Sequence, residues 1–230
     1  MKSMNSIKVL SLAVLMMAIC FGRASYASSL LIFDSPSLIV LQSGERLYGY
    51  YAASEGIRSC IFFFIGGSEN RNKTADGMYS VIDITTYALG GDQYHYDERD
   101  VQYDKAGKIY VQGDQWIIKT LGEPPGCGGA TGFFHLDPYE HDAFRYYMTK
   151  WIPAIGIRMA LKRSFLYDVR GVRFVKRKGY VVPGDVLVVL NEYGKFSHIR
   201  YTDPDYFSQT PGKVTSGWIK SADLTNPLPQ

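Results

Sequence analysis

The run Cys60-Ile61-Phe62-Phe63-Phe64-Ile65-Gly66-Gly67 decides how the chain is read. It is the most hydrophobic stretch after residue 27, it is too short for a stable helix, and two glycines end it. Six consecutive apolar residues leave neither side polar, so the expectation is a strand covered on both faces. Working outward, residues 30–47 are short apolar runs broken by Ser, Pro and Gly, which suits a first strand or hairpin. Residues 47–51 are aromatic and β-prone, and residues 78–89 are β-branched and aromatic with partial alternation. Residues 108–111 and 116–121 read as a hairpin turning at Gly113-Asp114. Residues 69–77 and 90–104 are polar and loop-like, and Glu123-Pro124-Pro125-Gly126-Cys127-Gly128-Gly129 cannot continue a strand. With 18 Tyr, 23 Gly and only 3 Trp, the composition favours strands and tight turns. The expected fold is mainly β, with an N-terminal β-sandwich or barrel-like domain over residues 28–136.

One helix start stands out. Asp137-Pro138-Tyr139-Glu140 offers a capping side chain, a proline at the first helical position and a glutamate three residues after the aspartate. The spacing predicts a helix to about Trp151 that stops before Pro153. Residues 137–156 then form a linking helix and turn between two domains.

The beginning of the chain reads as an export signal. Lys2 and Lys8 precede an apolar stretch over residues 9–21, and Ser25-Tyr26-Ala27 suits cleavage after Ala27. A lipid anchor at Cys20 is disfavoured by the bulky Ile19 before it. No later stretch is long and apolar enough to span a bilayer. Removing residues 1–27 leaves 22 basic against 22 acidic residues, so the formal +3 belongs to the leader and gives no support for nucleic-acid binding. The expected location is the periplasm of a bacterium, where Asn72-Lys73-Thr74 has no meaning as a glycosylation acceptor. Two cysteines remain, Cys60 and Cys127, and in an oxidising compartment an even pair points to a disulfide.

From about residue 157 the pattern changes to short strands with turns between them. Ser164-Phe165-Leu166-Tyr167-Asp168-Val169 leads to Tyr180-Val181-Val182-Pro183-Gly184-Asp185 and then Val186-Leu187-Val188-Val189-Leu190. Asn191-Glu192-Tyr193-Gly194 turns into Phe196-Ser197-His198-Ile199-Arg200-Tyr201, and Ser216-Gly217-Trp218-Ile219-Lys220-Ser221-Ala222-Asp223-Leu224 ends the set. In order, these pieces resemble a bacterial SH3-like domain, over residues 157–230. Pro183-Gly184-Asp185 makes a tight turn into a strand where Val186, Val188 and Leu190 share a side. Gly217 lets the chain bend closely beside Trp218, whose ring is expected to plug a small barrel. Ala222-Asp223-Leu224 looks like the family's closing turn and last strand. The chain departs from the family at Phe196, where a Trp is common, and in a long insert over residues 202–214. Residues 28–136 resemble no family known to us.

The resemblance implies an SH3-like domain that binds a ligand, for which Tyr193, Phe196, Arg200, Tyr201 and Trp218 are the candidate residues. Lys162, Arg163, Arg170, Arg173, Lys176, Arg177 and Lys178 make the same region basic, either as solvated strand faces or as a local patch for an acidic partner. Cys127 with His135 invites a cysteine-hydrolase reading, yet neither cysteine has the helix N-terminus or cation that lowers a thiol pKa. His135, Asp137, Glu140 and His141 lack the spacing of a zinc motif, so no metal site is expected. Glycine-rich stretches lack phosphate-loop spacing, and no cofactor is expected. The function anticipated is a periplasmic, non-enzymatic binding protein recognising a protein partner or peptidoglycan. The alternatives are an immunity or inhibitor protein that neutralises an envelope-targeting toxin or lysozyme, and a cell-wall hydrolase.

Overall fold

A computed structural model describes residues 28–67, 72–128, 132–205, 208–210 and 212–229. The leader expected over residues 1–27, with Cys20, lies outside them. The protein is mainly β, and its strands form two sheets.

The first sheet contains β1 (Ser29–Phe33), β2 (Leu38–Ser43), β3 (Arg46–Glu55), β4 (Arg58–Gly67), β5 (Asn72–Lys73), β6 (Ser80–Tyr87), β7 (Lys105–Gln112), β8 (Gln115–Thr120) and β9 (Tyr146–Pro153). Each strand pairs antiparallel with its neighbour in the chain, except that β4 skips the two-residue β5 to reach β6 through Phe63↔Tyr87 and Phe64↔Thr86. β9 returns to β1 through Leu31↔Trp151. The result is a closed, eight-stranded up-and-down barrel. Closure leaves no sheet edge within the ring.

Side chains fill the barrel. Leu31, Val40, Leu47, Phe62, Phe64, Ile82, Ile109, Trp116 and Tyr146 all belong to one buried cluster. Gly49 is required there, because a Cβ would sit 1.8 Å from the Phe64 ring on the facing strand. The loop from β8 to β9 supplies Phe134, which is fully buried and packs edge-on against Tyr51 and Phe62 at centroid distances of 4.9 Å. A disulfide between Cys60 on β4 and Cys127 in the same loop holds it in place. Gly126 passes so close to β4 that a Cβ would meet the Ser59 carbonyl at 2.5 Å.

The run at residues 60–65 is a strand with both faces engaged over its second half. Cys60, Phe62 and Phe64 point into the barrel, while Phe63 and Ile65 pack on the second sheet.

The helix expected from Asp137 does not form. The capping contacts are present, with Asp137 N donating to Glu140 at 2.6 Å and Tyr139 N to Asp137 at 3.3 Å. The turn goes no further, because the Arg145 guanidinium donates to the carbonyls of Pro138, Glu140, His141 and Ala143. A growing helix would use such carbonyls for its own amides. Beyond Arg145, the aromatic and β-branched residues of β9 take the open edge between β1 and β8. Residues 146–153 are therefore barrel wall, and the chain passes to the second sheet through Ala154 and Ile155.

The second sheet comprises β10 (Gly156–Ala160), β11 (Ser164–Arg170), β12 (Arg173–Val181), β13 (Val186–Tyr193), β14 (Phe196–Thr202), β15 (Val214–Lys220) and β16 (Leu224–Thr225), in the order β12-β11-β15-β14-β13-β10-β16. It curls into a half-barrel. Leu166, Val181, Leu187, Val189, Ile199 and Ile219 fill its hollow. Val186, Val188 and Leu190 alternate with them and pack against the barrel's outer wall, on Leu30, Leu41, Tyr50, Phe63 and Tyr87. This shared core joins the two sheets into one body. A single turn of 3-10 helix at Ser221–Asp223 precedes β16. Asp223 there accepts from Ser164 Oγ at 2.7 Å and pairs with Lys162 at 2.8 Å.

Candidate functional site

The face of the second sheet that does not line its hollow carries a cluster of rings. Along β14, Ser197 and Ile199 point inward, so Phe196, His198 and Arg200 point outward. On β15, Ile219 fills the core, and Trp218 lies on the outer face with its ring stacked on His198 at 5.0 Å. The ring expected to plug the hollow is thus outside it. Phe174 on β12 stacks on Phe196 at 3.9 Å with an interplanar angle of 11°, and meets Trp218 edge-on at 5.5 Å. Tyr193 lies 6.3 Å from Phe174 and Tyr167 lies 5.2 Å from Phe196. Tyr193 is 68% exposed.

Three of the five expected residues, Tyr193, Phe196 and Trp218, therefore come together. Arg200 shares their outer face but stands further along β14, in the wall of a separate cleft. Tyr201 points the other way, packs against the hollow's core and hydrogen-bonds Asp185. Burial pushes the Tyr201 hydroxyl and the Asp185 carboxyl up from their ordinary values. Phe174, Tyr167 and His198 were missed. The period-two series Phe196, His198, Arg200 was the available signal for His198, whereas Phe174 joins through a strand that is not adjacent to β14.

The basic residues divide by partner. Lys162 pairs with Asp223, and Arg177 lies 3.6 Å from Asp168 and donates to the Ser216 carbonyl. Arg163 sits 3.8 Å over the Tyr180 ring and Lys176 3.4 Å over Phe165. Arg170 and Arg173 face each other across the tip of the β11–β12 hairpin. Gly171, at φ +61°, makes that turn, and Val172 at its apex is 94% exposed. Two like charges directly opposed on a strand pair are destabilising, and no anion among the described residues is paired with either. His198 is held below its ordinary pKa by burial and contacts Ser216 Oγ through Nε2 at 3.0 Å.

The cluster around Asp137 is dispersed. His135 contacts Glu123, Asp137 pairs with Lys119 at 2.8 Å, Glu140 caps the turn and His141 meets Asp142. Among the described residues, no group of His, Cys, Asp and Glu is arranged to hold a metal ion. Cys127, the nucleophile of the hydrolase reading, has its sulfur bonded to Cys60. Among the described residues, no helix is long and apolar enough to cross a membrane.

The fold and the outer face together define a filled, closed barrel bearing a half-open sheet with an aromatic surface. No family model, curated protein or solved structure matches the chain.

Proposed function

We propose that the protein is a non-enzymatic binding protein of the bacterial periplasm. Its C-terminal third, residues 157–230, is an SH3-like unit whose outer face recognises an acidic protein partner. The observation that carries this reading is the ring cluster of Phe174, Tyr193, Phe196 and Trp218, with Arg170 and Arg173, which pair with no anion among the described residues, at the tip of the hairpin that carries Phe174. Large, stiff rings offer contact area at little entropic cost, and neighbouring cations steer an acidic surface onto them. The filled barrel interior supports the same reading, since it leaves the protein's recognition surfaces on the outside. The SH3-like assignment draws on the meander of β13, β14 and β15 and on the closing turn at Ser221–Asp223 before β16. An immunity or inhibitor protein that neutralises an envelope-targeting toxin or lysozyme is the more specific form. The opposed arginines on a protruding hairpin favour it, because they suit entry into an acidic cleft.

Peptidoglycan is the second ligand, favoured by the flat Phe174–Phe196 stack, a surface on which a sugar ring can lie. Affinity capture from envelope extract and co-sedimentation with purified cell-wall sacculi distinguish the two. The expected result is a captured protein that is lost with Arg170→Glu/Arg173→Glu and weakened by raised salt. Capture of nothing by the wild type in either assay, or equal capture by the variant, overturns the proposal.

A further inference from the structure

We propose that the cleft between the β1–β2 hairpin and strands β14–β15 is a second binding site, which takes the free C-terminal carboxylate of a short peptide on Arg200. The cleft has a volume of about 330 Å³. Its polar wall is Arg200 and Thr202, with Ser35 opposite, and Pro36, Ile39 and Val214 supply apolar surface.

Arg200 is the reason to expect an anion. It is half-buried, and among the described residues no carboxylate, carbonyl or ring is paired with it. Burial without a partner lowers its pKa, the sign of a desolvated charge that nothing offsets. Arg158 on the same sheet is also partly buried, but it donates to the Ile157 carbonyl and to Asn226. Among the described residues, Asp34 is the one acid in the cleft wall, and its Oδ1 is already held by the backbone N–H groups of Ser35 and Tyr147, each at 2.8 Å.

Thr202, Gly212 and Val214, at the two ends of the insert that departs from the SH3-like pattern, line the cleft. Ser54 N on β3 donates to the Pro204 carbonyl at 3.2 Å, and a Cβ on Gly212 would meet the Pro36 ring at 2.8 Å. Pro204 and Gly212 thus tie the second sheet to the barrel on the side of the cleft where Gly212 and Val214 stand.

The chemistry selects the ligand. A guanidinium binds a carboxylate through two parallel hydrogen bonds, and the Thr202 and Ser35 hydroxyls can add donors. The apolar wall suits a small aliphatic side chain next to that carboxylate. A volume near the lower bound for ligand pockets fits about one or two residues. The site is separate from the aromatic face, since Arg200 stands four residues from Phe196 on one strand, roughly 13 Å away. It does not depend on which partner covers that face.

The test is calorimetric titration of the full, oxidised chain with acetyl-Ala-Ala, with its C-terminal amide, and with inorganic phosphate. The acid should bind about tenfold or more tightly than the amide, as loss of a charge-assisted bond implies. Arg200→Gln should weaken the acid by a similar factor, Arg200→Lys should recover part of the loss, and both variants should melt as the wild type does. Phe196→Ala should leave the acid's affinity within twofold. A muropeptide with a tetrapeptide stem, compared with an L-peptide of equal length, then identifies the cell wall or a protein terminus as the source. Equal affinity for acid and amide, no measurable binding of the acid, tighter binding of phosphate than of the acid, or an unchanged Arg200→Gln variant overturns the proposal. Equal losses in Phe196→Ala and Arg200→Gln overturn its separateness from the aromatic face.

Discussion

The two sheets use aromatic residues in opposite ways. In the barrel, Phe62, Phe64 and Phe134 lie within a closed wall and none is more than 1% exposed. On the second sheet, Phe174, Tyr193, Phe196 and Trp218 form a comparable network of ring contacts, but on a face open to solvent. The sheet's own core is aliphatic, built from leucine, isoleucine and valine. Aromatic surface that a core does not need, gathered in one place, adds little to stability and suits the recognition proposed for this face. The difference teaches that rings of the same chemistry carry different energies in the two halves.

Substitutions should divide along the same line. The largest loss is expected from Phe134→Ala, which unplugs the barrel and should cost about 3–5 kcal/mol. Denaturant unfolding measures it, and a loss below about 1 kcal/mol would mean the loop is not part of the core. Reducing Cys60–Cys127 opens a 67-residue loop and should cost up to about 4 kcal/mol. Its signature is a midpoint shift that reductant produces in the wild type but not in Cys60→Ala/Cys127→Ala.

Asp223→Asn should cost about 1–3 kcal/mol, since it weakens the buried hydrogen bond with Ser164 and the ion pair with the exposed Lys162. Burial alone raises the Asp223 pKa, but the hydrogen bonds from Lys162 and Ser164 outweigh it and hold the carboxyl below 3.8. A depressed folded value means the stabilisation is complete above the unfolded pKa and is lost as pH falls through the folded one. The gap between wild type and Asp223→Asn should therefore narrow as pH drops below about 4. A gap that stays constant down to acid pH would remove the charge from the account. The smallest effect on stability belongs to Tyr193→Ala, within about 0.5 kcal/mol, yet it should lower partner capture severalfold. If it destabilised the protein as Phe134→Ala does, the contrast between the halves would collapse.

Strong local patterns were legible in the sequence. The strand at residues 60–65, the hairpin turning at Gly113-Asp114 and the shared face of Val186, Val188 and Leu190 all follow from short-range rules, and the pairing of Cys60 with Cys127 follows from counting cysteines. Barrel closure was not legible, because the helix signal at Asp137 is locally genuine. What defeats it is Arg145, whose side chain takes carbonyls a helix needs, and the vacancy between β1 and β8, a feature more than a hundred residues away in sequence. Of the ring cluster, Tyr193, Phe196 and Trp218 were singled out in the sequence, although Trp218 was expected inside the hollow and lies outside it. Tyr201 was misplaced because it neighbours Arg200 in sequence but lies on the opposite side of the strand. Phe174 was missed because β12 and β14 are separated by β11 and β15 in the sheet, and no local pattern encodes a contact between them.

The pairing of β1 with β9 also dictates an order of events. For a chain emerging N-terminus first, the initial strand waits with one flank vacant until residue 153 has appeared. Both sulfurs are available before then, since Cys127 precedes β9. Oxidation can fasten the β8–β9 loop onto β4 while the ring is still open, so the last strand closes around a plug already installed.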